Sequence, residues 1–327
     1  MSRRLKAGTG VSVAMCTYNG AAFVAEQLAS IAAQDLLPDE VVVCDDRSTD
    51  QTAAIVRRFA ACAPFEVRLE INGQNLGARE NFAKAVGLCR GRWIALADQD
   101  DVWLPQKLRR LHAALAQDPR VGLVFSDAVL VDAAGRDLGC RLWSAVRFTS
   151  RQQRQVRDGR ALDVLLKHNV VTGATMAFAA EHRDLILPIP AGWVHDGWFA
   201  LLIAAVARCA AIDEPLVAYR QHPGQQIGAG KRSLYQQYLR AKSQHRETFL
   251  AVAAGYRAAW QRLASCGTPS VDGAILPALQ QKVGHFLAKA RMRRTAWRLP
   301  LIGRELLRRH YAKYSSGLRS LAQDLLL

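Results

Sequence analysis

Apolar and polar positions along the first hundred residues switch repeatedly between a two-residue and a helical period. Val11-Ser12-Val13-Ala14-Met15-Cys16 reads as a short buried strand. The stretch from Ala21 to Ala33 repeats its apolar residues at helical spacing, through Phe23, Leu28 and Ile31. Val41-Val42-Val43-Cys44 is a second strand, ended by Asp45-Asp46. Ser48 and Gln51 then have the spacing of a helix capping box, which predicts a helix from Ala53 to Ala61. A third strand runs from Glu66 to Ile71, a third helix from Asn81 to Cys89 and a fourth strand from Trp93 to Ala97. Pro105 opens the next helix. Strands alternating with helices predict an α/β fold, a mostly parallel sheet with helices on both faces. In such sheets the ligand lies at the carboxyl ends of the strands.

Past Val121 the pattern loosens. Val121 to Ser126 is a further strand, and the polar, Arg- and Gln-rich run from Arg141 to Arg160 is expected to be an exposed loop or flap. Asn169 to Phe178 is strand-like, with Gly173 allowing a close backbone approach. Trp193-Val194-His195-Asp196-Gly197-Trp198 precedes an apolar helix from Phe199 to Ala207. Ala210 to Tyr219 reads as a closing strand, followed by Arg220-Gln221-His222-Pro223-Gly224. From Lys231 on, the pattern is helical, with breaks at Gly267-Thr268-Pro269 and near Pro300. The expected divisions are a flexible basic N-terminus (1–10), an α/β domain (11–230, halved at 101/102) and a helical basic region (231–327).

Charge changes this picture at one end only. The 327-residue chain carries +16, yet from Lys231 to Leu327 there are 18 Lys and Arg against four acids, a net of +14. The basicity therefore belongs to the C-terminal third. No apolar run is long enough to span a bilayer, and the N-terminus lacks the apolar stretch of a signal peptide. Seven cysteines without paired spacing point to a reducing cytosol, not to a disulfide framework or a zinc site.

Three predicted strand ends carry polar groups: Thr17-Tyr18-Asn19-Gly20, Asp45-Asp46 and Asp98-Gln99-Asp100-Asp101. Three carboxylates in four residues repel one another, and burial makes that worse. A hard cation such as Mg²⁺ or Mn²⁺ removes the repulsion, and Asp98 and Asp100 share one side of an extended backbone. A solvated Asp-rich turn explains the same residues. Asp196 is either a carboxylate with raised proton affinity in a partly apolar setting or the cap of the helix that follows. Trp193 and Trp198 either stack on a ligand or fill core. The place where a dinucleotide fold carries G-x-G-x-x-G holds Cys16-Thr17-Tyr18-Asn19-Gly20, and no P-loop occurs.

The segments CTYNG, VVVCDDRSTDQT, NLGARENFAKA, RGRWIALADQDDVWLPQKL, VTGATMAF, HDGW and YRQHPG resemble, in this order, family 2 glycosyltransferases of the GT-A fold. DQDDVWLP and YRQH are most similar to the bacterial rhamnosyltransferase-like branch. The resemblance spans about Val11 to Gly230. It implies inverting transfer of a sugar from a nucleotide-diphosphate sugar, dTDP-rhamnose or a UDP-sugar, to an acceptor hydroxyl. On the matching positions, Thr17, Tyr18, Asn19, Asp45 and Asp98 would bind the nucleotide sugar, with Asp46 supporting the turn. Asp98, Asp100 and His222 would hold Mg²⁺ or Mn²⁺, and Asp196 would be the base. Gly173 and Trp198 would face the acceptor. Glu80 stands at a position that is basic in that branch, with Arg79 before it, and Gln225-Gln226 replace Asn residues.

Basic residues interleaved with Phe286, Trp297, Leu301, Ile302, Leu306 and Leu307 suit a helix lying on an anionic membrane, or a helical subdomain with a solvated basic face. Nucleic acid is disfavoured because no nucleic-acid-binding module appears. The leading expectation is a cytoplasmic, peripheral membrane glycosyltransferase that extends a glycan or lipid-linked oligosaccharide for bacterial surface polysaccharide. The rival is a non-catalytic basic protein that binds nucleic acid or lipid on a retired GT-A fold.

Overall fold

The computed structural model describes residues 10–222, 246–267, 273–292 and 298–326. Nine strands form one sheet: β1 (Val11–Thr17), β2 (Glu40–Asp45), β3 (Glu66–Ile71), β4 (Trp93–Asp98), β5 (Val102–Trp103), β6 (Val121–Val131), β7 (Asp137–Arg141), β8 (Met176–Ala179) and β9 (Arg208–Arg220). The order is β3-β2-β1-β4-β8-β6-β9-β5, with β7 paired to β6. The first four are mutually parallel, β8 runs antiparallel to both β4 and β6, and β6 and β9 are parallel again.

The central strands are apolar on both faces because both faces are covered. Val11, Val13 and Met15 pack with Val24, Leu28 and Ile31 of one helix and Leu108, Leu111 and Leu115 of another. Ala14 and Cys16 point the other way, onto Phe82, Ala85 and Val86 and the helix that holds Trp198 to Ala205. Period-two alternation within continuous apolar runs thus places the polar strand ends, not the strand bodies, at the sheet's open edge.

Four expectations need correction. Ser48 and Gln51 form no capping box: the helix is Thr52–Ala60, and the Ser48 hydroxyl accepts from Asn19 N while donating to Asp45. Asp50 receives the Thr52 N–H instead. Arg141 to Arg160 is no exposed flap. Most of it forms helices Leu142–Ala145 and Ser150–Arg157, the second opened by a Thr149–Gln152 capping box, with Leu142, Trp143, Phe148 and Val156 buried. Strand structure in the 169–178 stretch is confined to β8, after a 3₁₀ turn at Gly173–Thr175. The apolar helix begins at His195, which puts Asp196 inside its first turn with Val194 at the cap.

Helices Arg246–Ser265 and Ile275–Met292 pack together, and the first also contacts the His195–Val206 helix. Arg262 caps the carbonyls of Leu185, Leu187 and Pro188, and the buried Lys282 ammonium donates to Leu166 O. Shorter helices, Arg298–Leu307, His310–Tyr314 and Leu318–Leu326, complete this region. The expected boundary near Lys231, Gln225-Gln226, Thr268-Pro269, Trp297 and residues 1–9 lie outside the described residues.

Candidate active site

The ends of β1, β2 and β4 meet at a cleft of about 690 Å³, within the range of small-molecule sites. Its floor starts from Cys16 beside Asp98 in the β1–β4 register. Thr17 donates its hydroxyl to Asp45 Oδ2 at 2.8 Å, and Ser48 gives that carboxylate its N–H and its hydroxyl. Asp46 accepts from Asn72 Nδ2 and from the N–H groups of Leu76 and Gly77. These bonds staple three loops into one rim. Asn19 takes a left-handed turn (φ 48°), which Asn tolerates better than most residues, and its Oδ1 accepts from Thr49 N. Gln99 closes the rim by a two-bond pairing with the Tyr18 backbone, N–H to Oε1 and Nε2 to O. A Cβ on Gly20 would sit 2.1 Å from Gln99 Oε1, so this pairing requires glycine there.

The acidic cluster is only partly neutralised by protein. Burial, reinforced by the neighbouring Asp100, pushes the Asp98 carboxyl up to about 7. Asp101 is buried, accepts from Arg220 N through Oδ1, and leaves Oδ2 without a hydrogen-bond partner. Its proton affinity is raised by burial and by Asp98 and Asp100. Lys107 lies against this cluster, fully buried, with Nζ 3.4 Å from the centre of the Trp103 ring and donating to Ala174 O at 2.6 Å. His222 Nε2 is 2.9 Å from Asp100 Oδ2. A cation fits this surplus of carboxylate, but not as a ready cage of Asp98, Asp100 and His222. Among the described residues, the one trio of metal-capable atoms within 4.8 Å is His285, Glu305 and His310. That trio is internally hydrogen-bonded, each histidine Nδ1 lying 2.8 Å from Glu305 Oε2. A magnesium-like ion typically takes only one or two carboxylates and completes its shell with phosphate and water. Asp100 would offer one such carboxylate, with His222 at hydrogen-bond distance from it.

Asp196 also lines the cleft. Its carboxylate accepts from Gly197 N, Gly173 N and Asn169 Nδ2, yet burial still raises its proton affinity to a pKa of about 6. His195 stacks on Phe82 with centroids 3.9 Å apart, and burial holds it neutral by lowering its pKa to about 3. A Cβ on Gly173 would lie 2.6 Å from His195 Nε2, so the turn that presents Gly173 N to Asp196 depends on a bare backbone.

Tyr18, Asp98, Asp100, Gly173, Asp196 and His222 all line this one cleft. Thr17, Asn19 and Asp45 support it from below, and Asp46 lines it in place of Asp45. Trp198 is a correction. It is 1% exposed, donates Nε1–H to Ile186 O and fills core, while Trp193 lines the cleft. Arg79 reaches the cleft but donates to Ile189 O and pairs with Glu80. Sequence reasoning passed over Lys107 and Arg220, and from sequence Glu26 reads as a solvated or structural acid. Arg220, 2% exposed, links Glu26 Oε2, Asp100 O, Asp101 Oδ1 and Ala133 O, tying down the C-terminal end of the acidic loop. A strong charge inside apolar context, as in Lys107-Leu108 or Tyr219-Arg220, was the available signal.

The model of Glycosyl transferase family 2 matches residues 12–161. The chain is 34% identical to the dTDP-rhamnosyl transferase RfbG of Shigella flexneri, over 66% of this chain and 74% of that protein. This chain belongs to glycosyl transferase family 2. The family's GT-A fold is matched in solved structures. TarS of S. aureus in complex with UDP-GlcNAc superposes at a TM-score of 0.55, with 17% identity, over 88% of this chain and 73% of that one. The mannosyltransferase PcManGT of Pyrobaculum calidifontis, in complex with GDP-Man and Mn²⁺, gives a TM-score of 0.50 at 21% identity, over 97% and 86%. The match spans 59% of the length of uncharacterised Mycobacterium tuberculosis relatives that are 26% identical.

Proposed function

We propose that the protein is an inverting, divalent-cation-dependent glycosyltransferase. It moves a sugar from a nucleotide-diphosphate donor to a hydroxyl of a glycan or lipid-linked acceptor in bacterial surface polysaccharide synthesis, at the cytoplasmic face of the membrane. The observation that carries this reading is one cleft holding two separated acidic groups: Asp98 and Asp100 at the end of β4, and Asp196 on the far helix. In-line displacement needs the diphosphate and the proton acceptor at different walls of one site. The RfbG likeness favours dTDP-rhamnose as donor, and UDP-sugars are the alternative.

In this reading Asp100 and His222 hold Mg²⁺ or Mn²⁺, with Asp98 beside them. The ion supplies charge stabilisation to the departing diphosphate. PcManGT, with the same fold, binds GDP-Man with Mn²⁺. Tyr18 and the rim fixed by Asp45, Asp46 and Gln99 orient the nucleotide. Asp196 takes the acceptor hydroxyl proton on one carboxylate oxygen, and a pKa of about 6 leaves it mostly ionised at neutral pH while basic enough to accept. Gly173 N–H and Asn169 hold that carboxylate in place, and neutral His195 avoids an ion pair that would quench it.

A thermal melt with dTDP and UDP, with and without Mn²⁺, tests the donor side. Stabilisation that needs Mn²⁺ and vanishes in Asp100→Asn is expected. Nucleotide stabilisation unchanged by chelator, together with full transfer activity, refutes the cation role. Absence of any nucleotide effect favours a retired fold.

A further inference from the structure

The helix Arg298–Leu307 turns its apolar residues in two directions. Ile302 packs inward with Met292 and Tyr311, and the one acid of the helix, Glu305, is buried beside it at 1% exposure. Leu299, Leu306 and Leu307 fall at i, i+7 and i+8, on the neighbouring, outward-turned face. Leu299 is 63% exposed, Leu306 48% and Leu307 87%. The contacting helix Leu318–Leu326 repeats the arrangement, with Leu318 81% and Leu325 46% exposed at i and i+7. Isolated surface leucines are ordinary, but stripes of them on two adjacent helices are not.

The charges around these stripes are sorted by depth. Between Arg298 and Leu327 the only acids are Glu305 and Asp324, and both are internal. Glu305 accepts from His285 and His310, and Asp324 is paired with Lys289 and the Tyr311 hydroxyl. Arg304, Arg308, Arg309 and Lys313 remain exposed. The outer surface of these helices is therefore leucine and cation, with Arg304 alone among these four reaching back to a carboxylate, that of the buried Glu305.

We propose that these two helices form a docking face for an anionic lipid bilayer surface. The leucines enter the interfacial region and the arginines lie against the headgroup phosphates. Among the described residues no helix is long and apolar enough to cross a membrane, so the contact is peripheral. The face is tied to the catalytic domain by packed contacts, through Lys282 on Leu166 O, Arg262 on the Leu185–Pro188 carbonyls and Tyr256 on Trp193. Docking would thus hold the cleft at a set distance from the bilayer, which suits a lipid-linked acceptor. The inference deepens the membrane-face reading above, but lipid binding can be measured without donor or turnover.

The experiment is flotation of the full-length protein with vesicles of phosphatidylcholine alone or with one quarter phosphatidylglycerol, at low and high salt. We expect at least tenfold stronger partitioning to the anionic vesicles, lost in 0.5 M salt. Leu307→Glu and Leu318→Glu should each weaken it about tenfold, and Arg308→Glu/Arg309→Glu at least as much. Because these side chains are exposed, melting temperatures should not change. Leu307→Trp gives a second readout, a blue-shifted emission quenched by brominated lipid. Failure to bind anionic vesicles overturns the proposal, as does binding indifferent to the leucine substitutions or an emission of the Leu307→Trp variant unmoved by lipid. A dimer in solution that Leu307→Glu dissociates also overturns it, by assigning the face to a second copy of this chain. Loss of transfer activity with lipid binding intact would fault the enzymatic reading alone.

Discussion

Asp196→Asn separates a proton acceptor from a structural residue, because the two roles predict opposite signs. In the folded protein burial lifts the carboxyl from the ordinary 3.8 to about 6, against hydrogen bonds from Gly197 and Gly173 that pull it down. That rise corresponds to roughly 3 kcal/mol more favourable proton capture at the upper limit. A carboxyl whose folded pKa is raised weighs against folding above that pKa, and the effect fades as pH falls through 6 towards 4. The neutral amide escapes this cost. Urea unfolding should therefore show Asp196→Asn more stable than wild type at pH 8, by up to roughly 3 kcal/mol, with the gap closing near pH 4. Turnover should move the other way, falling about 10² to 10⁴-fold as expected for loss of a general base, while nucleotide affinity is kept. The wild-type rate should itself decline below about pH 6 as the carboxylate takes up its proton. A helix-capping role predicts the reverse pattern, a loss of about 1 kcal/mol in stability with turnover unaffected. Stability lost at pH 8 with more than a tenth of the rate retained would refute the assignment.

Three other outcomes follow from the same structure. Lys107→Met keeps the side-chain volume but leaves the buried Ala174 O without its donor, and should lower unfolding stability by about 1–3 kcal/mol in urea titrations. Gly173→Ala forces a Cβ to within 2.6 Å of His195 Nε2, so a loss of about 1–3 kcal/mol is expected, and a rise in acceptor KM in initial-rate assays. Glu305→Gln should lower the melting temperature at pH 7. Burial would raise the wild-type carboxyl, but the His285 and His310 hydrogen bonds outweigh it and hold it at about 2, so this stabilisation is complete above pH 4–5 and disappears as pH falls towards 2.

The parallel half of the sheet was legible because covering both faces of a strand demands uninterrupted apolar residues, and few other structures do. The same logic located the polar strand ends, and with them Asp98, Asp100 and the Asp46 turn. What escaped notice were side chains whose role depends on partners distant in sequence. Glu26 looks like an ordinary solvent-facing acid on its helix, and only the Arg220 guanidinium, 194 residues away, gives it a partner. Composition misled in the Arg141–Arg160 run. Arginines and glutamines dominate it, yet Leu142, Trp143, Phe148 and Val156 are enough to anchor two helices, and the Thr149–Gln152 spacing had marked the start of one. The Ser48–Gln51 pattern failed for the opposite reason, since Asn19 N in the turn after β1 and the Asp45 carboxylate at the end of β2 compete for the serine hydroxyl and offer it two bonds in place of one.

The distribution of cations across the molecule bears on how the cleft can work. A chain of +16 has ample positive charge to neutralise its acidic loop, yet among the described residues Lys107 and Arg220 are the cations set against it, and both are committed to backbone carbonyls as well. Their bonds fix the loop's shape while leaving Asp98 with a pKa of about 7 and Asp101 with a buried oxygen that accepts no hydrogen bond. Among the described residues Arg79 is the arginine that lines the cleft, and it is committed to Ile189 O and Glu80. Retaining repulsion among carboxylates costs stability, and the arrangement is intelligible if an incoming cation relieves it only when a diphosphate arrives to complete its shell. Under the proposed function the arrival of ion and nucleotide is coupled, and each should tighten the binding of the other by the same factor in calorimetric titrations.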